Sequence, residues 1–200
     1  MQKMLLPLVA VYLIVRFGFT SQLDALGAYA SYIFEVICVI LALIFNGSKT
    51  LALFRFKKSF IVFMLVALVA GFTVFKAASF WNLVIPFDFT NAEGILFLLI
   101  FAPLLEELIF RFMLWQPFKN FSKNEGMILV ITSVIFSYSH FHAYWFVPAE
   151  LYGFVIYQSI YTLFLGLASG YLVYKYSSLT GAVVMHFAFN LGFYLGFLNI

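Results

Sequence analysis

Apolar runs of roughly twenty residues, divided by short polar breaks, repeat along this whole chain. A bilayer core needs about 20 mostly apolar residues per helix, and backbone groups in lipid must be paired within the segment. The pattern therefore predicts seven membrane-crossing helices, at about 4–19, 25–45, 60–80, 95–115, 127–146, 151–174 and 181–199. The breaks carry turn chemistry: TSQLD, NGSKT, PFDFTNAEG, QPFKNFSKNEG, VPAE and KYSSLTG. VPAE, between the fifth and sixth spans, marks its boundary least sharply. The expected fold class is all-α. Residues 1–200 read as one integral membrane domain, a polytopic helix bundle without a soluble domain, linker, low-complexity tract or internal repeat.

Composition agrees with the pattern. The chain is 65% hydrophobic and only 10% charged, where a soluble domain carries about 25% charged residues. Its 28 Phe and 12 Tyr suit lipid-facing and interfacial positions. The lone cysteine, Cys38, excludes an internal disulfide and lies in an apolar run, where a packed or lipid-facing role is expected. Lys3 ahead of an apolar stretch, with AYA at 28–30, has the look of a signal peptide. Arg16 and Asp24 interrupt that pattern and a full span follows, so the first helix is expected to stay uncleaved.

Charge adds an orientation. Seven spans put Lys3, Lys49, Arg55, Lys57, Lys58, Lys119, Lys123 and Lys175 on one side. Asp24, Asp88, Glu93 and Glu150 fall on the other, with Arg16 and Lys76 near helix ends where they can snorkel. The positive-inside rule then places the N-terminus in the cytoplasm and the C-terminus outside. The expected location is multi-pass in the bacterial cytoplasmic membrane. A net charge of +3 is too small to imply a nucleic-acid partner.

A few charges remain inside the spans, where each costs several kcal/mol by order of magnitude. These are Glu35, Glu106, Glu107 and Arg111, joined by the polar His140, His186 and Asn190. Glu107 and Arg111 are four apart on one helix face in the favourable order, which predicts an internal ion pair. Glu106 points about 100° away and is left over. These three residues alone suit helix locking and catalysis equally. Phe136 and His140 share a face of the fifth span, while His142 points to the opposite face and reads as structural. His186 and Asn190, four apart on the seventh span, can aim two hydrogen bonds at one point. That suits an oxyanion or a metal with its second shell. Glu35 has no assigned partner.

Depth along the helices lets Glu106, His140, His186 and Asn190 surround one polar cavity. A buried carboxylate beside an imidazole can take a proton from water, giving a nucleophile for a peptide carbonyl. Alternatively Glu106, His140 and His186 could hold a zinc ion that activates the water, although the soluble HExxH signature is absent. Ser133, Ser137 and Ser139 lie near the fifth span's motif, but none has a GxSxG context.

Three motifs carry a resemblance. EELIFR (106–111), FSYSH (136–140) and HFAFN (186–190) resemble the EExxxR, FxxxH and HxxxN motifs of the CPBP family of CAAX-protease and bacteriocin-processing membrane proteins. The lead-in FLGLASGYLVYKYSSLTGAVVM, with spaced glycines and a Ser-Leu turn, is similar too. The resemblance covers about residues 95–195, the expected catalytic core. It implies an intramembrane endopeptidase acting on a membrane-associated protein or peptide. Glu106 and His140 would activate water, and His186 with Asn190 would bind the oxyanion. Glu107, Arg111 and Phe136 would support them. The family has been described as metal-dependent and as a metal-free glutamate type. The amide beside His186 favours the second, so no cofactor is committed and zinc stays an alternative. The rival readings are a non-catalytic interaction protein, such as a bacteriocin-immunity factor or a regulator of a partner enzyme, and a proton-coupled carrier. Substrate and oligomeric state are not legible.

Overall fold

The computed structural model describes residues 4–27, 29–46 and 53–199. The elements are helical throughout: α1 (Leu5–Gly18), α2 (Thr20–Ala25), α3 (Ala30–Asn46), α4 (Phe60–Phe80), α5 (Ala92–Leu96), α6 (Ala102–Glu107), α7 (Trp115–Phe121), α8 (Glu125–Phe141), α9 (Tyr152–Tyr176) and α10 (Leu179–Leu198). No strand occurs among the described residues. Lys3 and Lys49 of the charge pattern lie outside them.

Among the described residues, four helices are long and apolar enough to cross a membrane: Phe60–Phe80, Glu125–Trp145, Ala149–Tyr176 and Leu179–Leu198. This is the build of a multi-pass integral membrane protein. Leu5–Gly18 and Ala30–Asn46 are apolar but shorter. The expected second span starts later than its hydropathy suggests, because residues 20–25 form the separate helix α2. The expected fourth span, 95–115, is not one regular helix. It belongs to a rod over 92–121 in which two widened π-helical turns, Phe97–Phe101 and Leu108–Met113, interrupt the α-helical pieces.

The polar breaks act as caps. Asn91, Asn124 and Ser178 each accept from a backbone N–H at a helix start. Ser178 Oγ also donates to the Arg55 carbonyl at 2.6 Å, tying the α9–α10 turn to the segment before α4. Ser177, in the left-handed region at φ 48°, ends α9. VPAE becomes an extended Pro148 between two short 3-10 turns.

α4 and α10 run parallel, with Phe60 at Gly181, Leu68 at Gly192 and Phe75 at Gly196. A Cβ at Gly192 would fall on the Leu68 carbonyl, so glycine is what allows this approach. α8 and α9 run antiparallel through Gly166 and Gly170. The outer face of α4 is apolar: Val62, Leu65, Val66 and Val69 are 60–65% exposed, as lipid contact requires. The ends of the bundle differ in charge. Residues 53–59, 119–125 and 175–178 lie at one end, and the turns at 19–27, 81–94 and 142–152 at the other.

Candidate active site

The rod brings the two adjacent glutamates inward on different sides. Glu106 keeps a side chain 25% exposed to a cavity, whereas Glu107 is 1% exposed. One residue of helix, a turn of about 100°, separates these fates.

Glu107 is held from two sides. Its Oε2 lies 3.4 Å from Arg111 Nε, the expected i,i+4 pair. Its Oε1 accepts from His186 Nδ1 at 2.9 Å. Arg111 directs its hydrogen bonds elsewhere: Nε to Ser169 Oγ at 3.1 Å, Nη1 to Thr132 Oγ1 at 3.1 Å and Nη2 to the Gly166 carbonyl at 2.9 Å. One fully buried guanidinium thus ties the rod to α8 and α9, its planar fork matching acceptors on two helices. The sequence pointed to the Glu107 pair but not to Thr132, Gly166 or Ser169. The small residues of GLASG were the available signal, since only small side chains leave room for a guanidinium between helices.

Glu106 faces the imidazoles. Its Oε2 lies 3.7 Å from His186 Nε2 and 3.9 Å from His140 Nε2. These gaps are too long for direct hydrogen bonds and suit groups that share a bound water. His140 Nε2 is buried and has no hydrogen-bond partner in the protein. Phe136 packs its ring 5.0 Å from the His140 ring and 5.9 Å from the His186 ring, with the Arg111 guanidinium 5.6 Å from its centre. Phe136 thus holds both imidazoles and the cation against one surface.

His186 and Asn190 are more committed than their spacing suggested. Because His186 Nδ1–H is given to Glu107, neutral His186 presents a bare Nε2 to the cavity. It can donate there only with both nitrogens protonated. Asn190 Nδ2 gives one hydrogen to the Leu98 carbonyl at 2.8 Å. Pro103 explains why that carbonyl is free. In the widened turn over Phe97–Phe101 the bonds run from residue i+5, as from Ala102 N–H to the Phe97 carbonyl. The matching donor for Leu98 would be residue 103, and proline has no N–H.

A cavity of about 640 Å³ joins these groups. Glu106, His140, His186 and Asn190 line its inner part, and the exposed Tyr29, Asp88, Asn91 and Glu93 line its outer part. At that mouth Thr90 donates from its hydroxyl (2.7 Å) and its N–H (2.9 Å) to Asp88 Oδ1, which holds the Asp88 carboxyl below the usual range. Arg16 and Glu35 also line the cavity, and they correct a sequence expectation. Arg16 does not snorkel alone; its Nε lies 3.0 Å from Glu35 Oε1, giving that acid its partner. A full helix, α2, and a turn separate the two in sequence, so no short-range spacing revealed the pair. His142 stays outside the cavity and bonds through Nε2 to the Phe17 carbonyl at 3.2 Å. Cys38 is buried.

As a metal site the fit is poor. Glu106, His140 and His186 converge, yet no group of three such side chains among the described residues is placed to hold a metal ion.

Comparison with known proteins adds a name to this geometry. The sequence model described as Type II CAAX prenyl endopeptidase Rce1-like matches residues 88–192. That stretch is more than half of the chain and contains all the cavity's inner acids and imidazoles. No curated protein and no solved structure matches the chain.

Proposed function

The chain belongs to the type II CAAX prenyl endopeptidase Rce1-like family, a family of peptidases, and on that premise we propose that it hydrolyses a peptide bond of a membrane-associated protein or peptide inside the membrane. The observation that carries this reading is the convergence of His140 Nε2 and His186 Nε2 on one oxygen of Glu106, at 3.9 and 3.7 Å.

In the proposed reaction a water gives one hydrogen bond to Glu106 and one to His140 Nε2, leaving a lone pair aimed at the substrate carbonyl. Glu106 takes the proton as the new C–O bond forms. The oxyanion receives the remaining amide hydrogen of Asn190 and a proton-bearing Nε2 of His186, an imidazolium supported by Glu107. The C–N bond then breaks, and the proton held by Glu106 passes to the leaving amine. Glu107, Arg111 and Phe136 position these groups and touch no reacting atom.

The proposed topology has seven crossings with the N-terminus in the cytoplasm, in the bacterial cytoplasmic membrane. α1, α3 and the rod supply three crossings beyond the four long helices. The rod's 30 positions, 92–121, reach roughly 45 Å at 1.5 Å per residue. α1, with 14 residues, is shorter than the hydrocarbon core and calls for local thinning of the bilayer.

The test compares new protein termini in membranes of cells carrying wild type, Glu106→Gln or Glu107→Gln at matched expression. Glu106→Gln is expected to assemble normally and lose about 10³-fold or more of its activity, the scale of a lost general base with its electrostatic support. Glu107→Gln is expected to lose the folded protein itself, because breaking a buried charge pair costs about 3–5 kcal/mol. Identical termini from wild type and Glu106→Gln would sink the protease reading in favour of a non-catalytic membrane partner. Loss of wild-type activity on chelation would replace the metal-free mechanism.

A further inference from the structure

The cavity's lining residues reach one end of the bundle, and the charges of the bundle say which side of the membrane that end faces. Its floor is Ile109, Phe110 and Leu165. Below the floor Met113, Leu114 and Trp115 are buried and close the bundle. None of the described residues at that closed end, 53–59, 114–125 or 175–178, lines the cavity. Upward, the walls run through Tyr12, Tyr32 and Phe97 to Pro86, Asp88 and Glu93, beside Tyr29.

The two ends differ in charge. Arg55, Lys57, Lys58, Lys119, Lys123 and Lys175 sit at the closed end, with Glu125 paired to Lys119 at 3.0 Å. Asp24, Asp88, Glu93 and Glu150 sit at the open end. The two cations nearest the open end are both engaged: Lys76 bonds the Asn199 carbonyl at 2.7 Å, and Arg16 is paired with Glu35. Lysine and arginine in short loops are retained on the cytoplasmic side during insertion.

We propose that the catalytic cavity opens at the non-cytoplasmic face of the membrane, so that the enzyme acts on polypeptide segments that have crossed the bilayer or are presented at its outer surface. The inference rests on the proteolytic reading for its meaning, but the orientation stands on the fold and the charges alone. A substrate tail that stays in the cytoplasm would meet the closed end, where buried Met113, Leu114 and Trp115 bar the way to Glu106. The water consumed in each turnover would also enter from the outer side, past Asn91 and Glu93.

The experiment uses single cysteines in the full chain with Cys38→Ala. Asn91→Cys and Pro86→Cys report the mouth, and Lys123→Cys reports the closed end. Cells are treated with a membrane-impermeant thiol reagent, intact or permeabilised. Both mouth cysteines are expected to label fully in intact cells, and Lys123→Cys only after permeabilisation. If neither mouth cysteine labels in intact cells, or Lys123→Cys labels there, the proposal is overturned. Asn91 caps α5, so Pro86→Cys in the preceding loop keeps the test valid if the cap variant fails to assemble. Labelling needs no catalysis. The same pattern in a Glu106→Gln background therefore separates failure of this orientation from failure of the protease reading.

Discussion

α4 and α10 form the most regular part of the bundle, and the rod over 92–121 is the least regular. The α4–α10 pair is parallel and meets in an apolar seam at Gly71, Gly192 and Gly196, so that backbone lies against side chain or backbone there. The rod carries Glu106, Glu107 and Arg111 and widens into a π turn twice. The contrast teaches where each kind of interaction belongs. Close packing of small residues holds helices together in lipid without polar groups. Widened turns leave carbonyls and side chains re-aimed, which a regular helix does not, and they recur at functional sites. Asn190 joins the two regions, since it grows from α10 and bonds the carbonyl that the rod leaves free.

The largest expected effect lies in the seam. Gly192→Leu places atoms where the Leu68 backbone stands, and neither backbone can yield without parting the helices. Overpacking of side chains costs about 1–3 kcal/mol, and a backbone collision exceeds that range. The expected result is loss of the monodisperse protein after detergent extraction, although no charged group has been touched. Recovery of wild-type thermal stability would show that the seam is looser than described.

Asn190→Ala should behave in the opposite way. It removes one hydrogen bond, worth about 1 kcal/mol, so the unfolding midpoint should move little. Turnover should fall about 10²–10³-fold, the cost of one oxyanion donor. Equal turnover would exclude Asn190 from the reaction and leave it as a tie between α10 and the rod.

Pro103→Ala gives the smallest effect and the sharpest test of the comparison. Alanine restores an N–H that competes with Asn190 for the Leu98 carbonyl. The rod should become more regular, with an unfolding midpoint equal to or above wild type, because proline inside a helix costs about 3 kcal/mol. Activity should fall about tenfold, below the loss from removing the donor itself. A fall in both quantities would mean that the π turn does not depend on Pro103.

The long helices α4, α8, α9 and α10 were legible because hydropathy and capping residues both act over short range. Asn91, Asn124 and Ser178 stand where the polar breaks predicted boundaries. The rod was not legible as a rod, since a π turn changes pitch without changing composition. Within the candidate site, the i,i+4 pair of Glu107 with Arg111 followed from helix geometry. The bond from His186 Nδ1 to Glu107 spans 79 positions, and the bond from Asn190 to Leu98 spans 92. Neither separation leaves a trace in local pattern.

The sequence by itself determined that this chain is a membrane helix bundle and named the intramembrane groups that need an explanation, because the cost of charge in lipid depends on composition more than on fold. Only the tertiary structure decided that Glu106 faces a cavity while Glu107 is locked, that Arg16 answers Glu35, and that the cavity reaches toward Asp88 and Glu93. Those outcomes depend on which helices meet and at what depth, and packing between distant segments sets both.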